Sequence, residues 1–598
     1  VGSAVPEVSV FWTLGGIAVV VVATFAIGAW GSSHARATSD LHRARRLVRE
    51  ERNAAAISGE YLSAASFLGV AGLILKDGST ALWYPIGFAS GYLAVMLFIA
   101  APLRRSGAYT VPDFAVVRLD LPWLRWLTTV FVVLIGWLYL VPQFQAAGLT
   151  FAVIAELPTW AGAVALLPVV LASVFSGGMR AVTLVQAFQY WLKLFAITFP
   201  AFVLFAVFLL GGSAQERLNA PGPVFERDTD VAVETSVTLQ VTEPTWLRVT
   251  AEPGAPGGPL QPDGTAEVWV PPGDYQVDAG SSLSFGAGTA VPVVAGAEAE
   301  NGSWMHPASA DPASLVGTYS LILATFLGTM GLPHVLVRFY ANPSGHGARR
   351  TALFVLILLG TFYLFPTVLG LLSRLFAPTL LVTGETDAAV LLLPHAMLDN
   401  WLGALLTALT AAGAFAAFVS TSSGLVVSVA GVVASNFQRV KNWHMPVLLL
   451  VTAVVPTGVA LLVAEQDLAR SVGLAFAMAA STFCPLLVLG VWWRRLTALG
   501  ASVGLLAGGG LVLAALAVSV VWPHPGGLFG ELVRQPALVS VPVAFAAMVL
   551  VSLGTKQQVP EGVSRMMLRM HAPDRLGFQD GRVRKPVVTK ESGGRHRL

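Results

Sequence analysis

Residues 54–76 read AAAISGEYLSAASFLGVAGLILK. As a helix the stretch would run about 35 Å, at roughly 1.5 Å per residue, which is enough to cross a bilayer. Its middle is nevertheless polar, with Ser58, Gly59, Glu60, Tyr61, Ser63 and Ser66 in sequence. A carboxylate such as Glu60 costs about 2.5–3.5 kcal/mol or more at membrane depth. Gly59, Ala64, Ala65, Gly69, Ala71 and Gly72 would let other backbones approach closely. Two readings follow. The stretch is a helix packed tightly through Gly, Ala and Ser, or it is a helix broken inside the protein. A broken helix turns free carbonyls and N–H groups toward a cavity, as transporters do to hold ions and solutes near the midplane.

The rest of the chain fits a membrane setting. Hydrophobic residues make up 55% and charged residues 12%, with a mean hydropathy of +0.71. Soluble domains carry roughly 25% charge. We read about 13 apolar runs, near 10–31, 54–76, 84–103, 122–148, 158–177, 182–211, 313–334, 350–374, 401–436, 444–464, 470–493, 498–521 and 537–554. Basic residues follow every odd-numbered run: the arginine-dense segment 34–53, then Arg104 and Arg105, Arg180, Arg338 with Arg349 and Arg350, Arg439 and Lys441, Arg494 and Arg495, and Lys556. The even-numbered runs end in loops poor in Lys and Arg. This positive-inside pattern predicts an outside N-terminus and a cytoplasmic C-terminus. The net charge of +3 and pI near 9.0 therefore reflect cytoplasmic loops, and no nucleic-acid partner is expected. The first run has no basic segment before it, so no removable leader is expected. Arginine outnumbers lysine, which suggests a GC-rich bacterial genome, and the expected location is the bacterial plasma membrane. The single cysteine, Cys484, excludes an internal disulfide and is expected to be a packed thiol.

The expected organisation is a first transmembrane helix and basic loop over 1–53, a first repeat over 54–211, a β-rich insertion over 212–312 and a second repeat over 313–493. Two C-terminal helices follow over 494–554, with a basic tail over 555–598 that could touch anionic lipid headgroups. In the insertion, VAVETSVTLQV and LRVTAE alternate apolar and polar residues. AEVWVPPGDYQVDAG reads as two short strands paired around a Pro-Gly turn. By parity this domain lies outside, where it could contact a protein partner or a second copy of the chain. Trp304 and His306 read as interfacial. No GxxxxGK[ST] loop supplies an ATP-driven engine, and no nucleophile–base or metal constellation supports an enzyme.

Several runs carry a resemblance. SAASFLGVAGLI (63–74), YPIGFASGYLAVMLFIAAPLRRSGAYTVPDF (84–114) and FSGGMRAVTLVQAFQYW (175–191) resemble the sodium:solute symporter family. GTMGLPHVLVRFY (328–340) is similar to its cation/acetate (monocarboxylate) branch. The resemblance implies an all-α polytopic protein of LeuT type. It would have a 5+5 inverted repeat, in which the first helix of each repeat is broken, with a small extracellular β-rich insertion added. Gly328, Gly331 and Pro333 supply a second break independently, because Gly and Pro weaken helix and Pro lacks a donor.

The family pattern also implies a sodium ion held by carbonyls of Gly59, Leu62 and Ala417 and hydroxyls of Ser420 and Thr421. Ser and Thr in membrane helices also bond back to their own helix. The acetate branch often lacks these two hydroxyls, which is a departure here. Glu60 is a coupling candidate that could steer sodium or carry a proton. Polar groups at the breaks, Ser63, Ser66, Tyr319, Thr325 and Thr329, would face the substrate. Half-helix N-termini suit a carboxylate, and no arginine is expected at mid-depth to clamp it. A small monocarboxylate such as acetate, propionate or pyruvate fits such a pocket better than a hexose. Gln143 and Gln145 either line the outer vestibule or bond between helices, and His334 reads as structural. The function implied is cation-coupled uptake by alternating access. The alternatives are a proton-coupled symporter of another small solute and a transporter-like nutrient sensor.

Overall fold

A computed structural model describes residues 7–33, 49–176, 179–211, 219–251, 260, 264–306, 312–436, 444–463, 467–522 and 526–574. Much of the basic first loop (34–48), Arg439, Lys441 and the tail beyond 574 lie outside the described residues. The first half of the chain contains α1 (Glu7–Ser33), α2 (Glu50–Tyr61), α3 (Val70–Asp77), α4 (Trp83–Ala94), α5 (Ala100–Ser106), α6 (Val111–Leu119), α7 (Leu124–Ala155), α8 (Thr159–Ser176) and α9 (Met179–Leu210). Helices Pro312–Thr329, Pro333–Tyr340, Gly345–Phe376, Trp401–Asn436, His444–Leu462, Leu468–Ser481 and Phe483–Trp492 build the second half, followed by Ala498–Val521 and Ala537–Gly554. Among the described residues, 11 helical runs are long and apolar enough to cross a membrane. The protein is therefore a helical polytopic membrane protein. The larger number read from sequence divides the run Ala65–Ser106 at Gly78, where φ is +61°, and adds the shorter α8.

Burial is uneven among the spans. Within Leu468–Trp492 and Pro312–Tyr340, 83% and 78% of the most apolar window is buried, against 22% for Val10–Gly31. Lipid tails are as apolar as leucine side chains, so burial here follows small residues and polar contacts rather than hydropathy. Cys484 is buried and free, as expected.

Between α9 and the second half, the described residues form seven strands: β1 (Thr229–Val233), β2 (Val237–Val241), β3 (Thr245–Ala251), β4 (Gly264–Val270), β5 (Gly273–Val277), β6 (Ser281–Phe285) and β7 (Val293–Val294). They form two antiparallel sheets, ordered β1-β6-β3-β4 and β5-β2-β7. Alternate residues such as Val231, Val233, Leu239, Val241, Leu247, Val249, Leu283 and Phe285 are buried, the period expected of half-buried strands. One expectation is corrected. The strands flanking Pro271–Gly273 do not pair with each other: β4 joins β3, and β5 joins β2 in the other sheet. Two adjacent prolines lack N–H donors, so the chain crosses between sheets there instead of closing a hairpin ladder.

Trp304 is not interfacial. It is buried, and its indole N–H donates to the carbonyls of Ile74 (2.9 Å) and Leu75 (3.2 Å) at the end of α3. The Arg374 guanidinium lies 5.2 Å over its ring and also donates to Ala299. Gly78 makes this docking possible, because a Cβ there would sit 1.9 Å from the Trp304 carbonyl oxygen. We expect Trp304→Ala to destabilise the protein by about 3 kcal/mol or more and to speed proteolysis of the strand region. Thermal unfolding and limited digestion in detergent would check this. An unchanged melting temperature would mean that the strand region is not anchored through Trp304.

Candidate functional site

Two helices of the core stop and restart at depth, with the same local backbone. α2 ends at Tyr61, and Leu62 is extended (φ −72°, ψ 90°). The chain turns back into helix at Ser63, whose carbonyl accepts from the N–H groups of Ser66 (3.1 Å) and Phe67 (3.0 Å). A π-helical turn, Ala65–Gly69, then leads into α3. In the second half, helix Pro312–Thr329 ends before Met330 and Gly331. Leu332 is extended (φ −69°, ψ 112°), and Pro333 opens the next helix at its first turn. Proline suits that position because the first N–H groups of a helix have no internal partner. The break expected in 54–76 is thus present, and a matching one lies in 313–334.

Each break frees backbone carbonyls that must find partners. At the first break the partner is Lys193, in the middle of α9. Its Nζ donates to the carbonyls of Gly59 (2.5 Å) and Leu62 (2.7 Å) and to the Ser420 hydroxyl (2.6 Å). Ser420 Oγ lies 2.8 Å from the Gly59 oxygen and 3.1 Å from that of Ala417. Thr421 donates elsewhere, to the Glu60 carbonyl at 2.8 Å. The structure therefore brings Gly59, Leu62, Ala417 and Ser420 together, with Thr421 beside them, and the Lys193 amino group contacts Gly59, Leu62 and Ser420 among them. Gly59 allows α9 this close, since a Cβ there would meet the Gln186 carbonyl oxygen at 2.2 Å. Sequence reasoning missed Lys193 although a signal was there. It is the only charged residue in 182–211, and an ionisable residue inside such a run marks a site by default.

The substrate candidates divide. Ser63 and Ser66 lie at the break. The Tyr139 hydroxyl reaches the Tyr61 carbonyl at 3.3 Å and Ser63 Oγ at 3.5 Å, and Ser66 Oγ meets the Tyr363 hydroxyl at 2.9 Å. Thr329 Oγ1 meets the Tyr61 hydroxyl at 3.1 Å, which joins the two breaks directly. Thr325 bonds back to Leu321 (2.8 Å) and fills the space beside Gly87 on α4, so it serves helix packing in this conformation. Tyr319 is corrected: it is 62% exposed on the outer side of its helix and does not face the break. At 100° per residue, Tyr319 cannot share the buried face that carries Thr325 and Thr329 one turn apart.

Around Ser63 and Ser66 the sequence reading also missed an aromatic wall of Tyr61, Phe88, Tyr92, Tyr139, Tyr363 and Phe476. Ring centroids are 5.1 Å apart for Tyr61–Tyr92 and 4.7 Å for Phe88–Phe476. The Tyr92 hydroxyl is buried without a partner among the described residues. Gln143 does not face a vestibule. Its Oε1 accepts from the Ala64 N–H at 2.9 Å, and its Nε2 donates to Tyr139. Gln145 reaches the Val463 carbonyl at 3.4 Å. His334 is buried against the Tyr139 ring, with neither ring nitrogen partnered among the described residues.

This geometry can be set beside known proteins. Residues 43–238 and 281–508 match the sodium:solute symporter family. The chain belongs to that family. A monocarboxylic acid transporter of Corynebacterium glutamicum is 27% identical over 523 residues, spanning 83% of this chain and 82% of that protein. The fold is shared with a solved Na+-coupled sialic acid symporter, captured substrate-bound and outward-open. That match has a TM-score of 0.56 at 13% identity and covers 91% of this chain and 97% of the other. Family membership makes this protein a solute transporter and not an enzyme.

For a symporter of this family the paths on either side of the breaks matter, and ion pairs cross both. On the side away from the strands, Arg338 holds the Glu60 carboxylate (3.0 Å) and donates to Thr183 (2.8 Å) and Gln186. On the strand side, Lys76 pairs with Asp467 (3.4 Å), and Arg470 bridges Asp77 (2.9 Å) and Asp467 (3.2 Å). Asp387 accepts from the Leu468 N–H at 2.8 Å. Burial, and then the neighbouring Asp467 charge, push the Asp387 carboxyl up to about 7. Burial also works to raise Asp467, but Arg470 and Lys76 hold it below its ordinary value.

Two predictions follow from these closures. Glu60→Gln leaves a buried guanidinium without its counter-charge, a loss of about 3–5 kcal/mol. We expect Glu60→Gln/Arg338→Met to recover a large part of it in thermal unfolding, and equal losses in the single and double variants would deny the coupling. Asp387 binds its proton more tightly folded than unfolded. Its stabilising contribution is therefore present below the ordinary aspartate range and lost as pH rises through about 7. Asp387→Asn should raise the melting temperature relative to wild type most at pH 8, less at pH 5, and hardly at all below about pH 4. The opposite pH trend would mean that Asp387 is charged throughout.

Proposed function

We propose that this chain is a secondary symporter that couples inward movement of a cation to uptake of a small monocarboxylate, such as acetate, propionate or pyruvate, by alternating access. In this reading it lies in a bacterial plasma membrane with the N-terminus outside, the C-terminus cytoplasmic and the 212–312 insertion outside. The observation that carries the proposal is the first break. A half-helix starts at Ser63, and the hydroxyls of Ser66, Tyr139 and Tyr363 meet there inside an aromatic wall. A half-helix start and hydroxyl donors suit one carboxylate, and the rings suit a short apolar tail. The similarity to the monocarboxylic acid transporter of Corynebacterium glutamicum supports the same substrate class. The substrate-facing residues in this reading are Ser63, Ser66 and Thr329 with the tyrosines.

Sodium is the coupling cation that the family description and the Na+-coupled neighbour support. The family pattern would place it on Gly59, Leu62, Ala417, Ser420 and Thr421, three of which Lys193 already engages in this conformation. A second reading, a proton in place of sodium, is favoured by the Lys193 amino group already seated among those oxygens.

Proteoliposomes should accumulate labelled acetate or pyruvate under an inward cation gradient and not without one. A sodium gradient at fixed pH, run against a proton gradient at fixed sodium, decides between the two cations. Ser66→Ala and Tyr363→Phe should each raise the KM for the carboxylate about tenfold or more, the scale of one hydrogen bond to a charged group. Unchanged KM values would place the carboxylate elsewhere. No accumulation of any small carboxylate would sink the substrate assignment.

A further inference from the structure

We propose that the Lys193 ammonium is the resident cation of the first break and takes the place of sodium there, so that sodium does not enter this site while Lys193 is present. The inference deepens the symporter reading and rests on it for the site's importance, but it stands on geometry at the break.

An ammonium has three N–H donors and no acceptor. Lys193 has three oxygens within 2.5–2.7 Å, from Gly59, Leu62 and Ser420, and its donors are thereby all engaged. A small hard cation bound to the same oxygens at about 2.4 Å would occupy nearly the position of Nζ. The two cannot be held together, both because they overlap and because like charges in contact repel strongly at low dielectric. The remaining oxygens are also engaged. Ser420 accepts from Lys193 and turns its own hydrogen toward Gly59 or Ala417, and Thr421 spends its hydrogen on the Glu60 carbonyl.

The freed carbonyls favour a positive charge here, against the desolvation cost of full burial. Gly59 and Leu62 lie at the C-terminal end of α2, where freed carbonyls give the negative end of the helix dipole. Lys193 shares one face of α9 with Gln186, Gln189 and Tyr190, at spacings of seven, four and three residues. That face packs on α2, and Lys193 is fully buried. The lysine thus does in cis what a bound ion would do: it ties the break in the first core helix to the Trp401–Asn436 helix through Ser420.

The test uses the full-length protein purified in detergent, with sodium exchanged for choline at constant ionic strength. The wild-type melting temperature should not respond to sodium. Lys193→Ala removes the ammonium and opens the oxygens, so sodium should now raise its melting temperature by a few degrees, on the order of 2–5 °C. That rise should vanish in Lys193→Ala/Ser420→Ala. Lys193→Met, which fills the space without charge, should show none. The proposal is overturned if the wild type is itself stabilised by sodium and Ser420→Ala abolishes the effect. It is also overturned if folded Lys193→Ala ignores sodium, since the oxygens would then form no cation site. Should Lys193→Ala fail to fold, the wild-type and Ser420→Ala comparison still decides. These readouts need no transported solute, so failure of carboxylate uptake leaves them intact and bears only on the substrate assignment.

Discussion

A helix that stops inside a membrane protein frees carbonyls that lipid cannot satisfy. The rest of this structure depends on how those groups find partners. At the first break they are met by the amino group of Lys193 on α9 and hydroxyls from the Trp401–Asn436 helix, and the restarted half-helix is met by Gln143 from α7. Three helices distant in sequence are thereby held to one short unwound segment. A change in the occupant of that point would be felt in all of them. This is the physical basis for coupling a cation to a conformational change: the cation stabilises only arrangements in which its oxygens converge.

The second half repeats the device with different chemistry. Leu332 has nearly the backbone conformation of Leu62, but its break is set by Met330, Gly331 and Pro333. The Tyr61–Thr329 contact joins the two breaks at the centre, and the Glu60–Arg338 pair ties the same two helices on the side away from the strands. The cluster of Lys76, Asp77, Asp467 and Arg470 closes the strand side. Ion pairs thus lie on both sides of the breaks, and rings pack at the centre. Buried charge pairs suit such closures because breaking one is costly and the paired state is geometrically specific.

Some of this was legible in the chain and some was not. The break in 54–76 could be read because Ser58, Gly59, Glu60, Ser63 and Ser66 contradict a lipid-facing helix, and local composition reports that directly. The strands could be read from alternation, but their pairing could not: β4 and β5 are neighbours in sequence and lie in different sheets. Tyr319 was misplaced because polarity near a break says nothing about which face of a helix a side chain takes. Lys193 was visible as a lone charge in an apolar run, but its three oxygen partners come from segments 131 and 227 residues away.

The sequence by itself determined that this is a polytopic membrane protein, where its core helices break, and which family it resembles. Each of these follows from local quantities: hydropathy over a span, Gly and Pro against helix propensity, and short motifs in order. Only the tertiary structure decided what occupies the breaks. A lysine, a serine and two carbonyls become a cation site through convergence in space, and nothing in the local chemistry of α9 says that its single charge will point at Gly59 and Leu62. Hydropathy is a property of segments, whereas the partner of a freed carbonyl is a property of the whole packed chain.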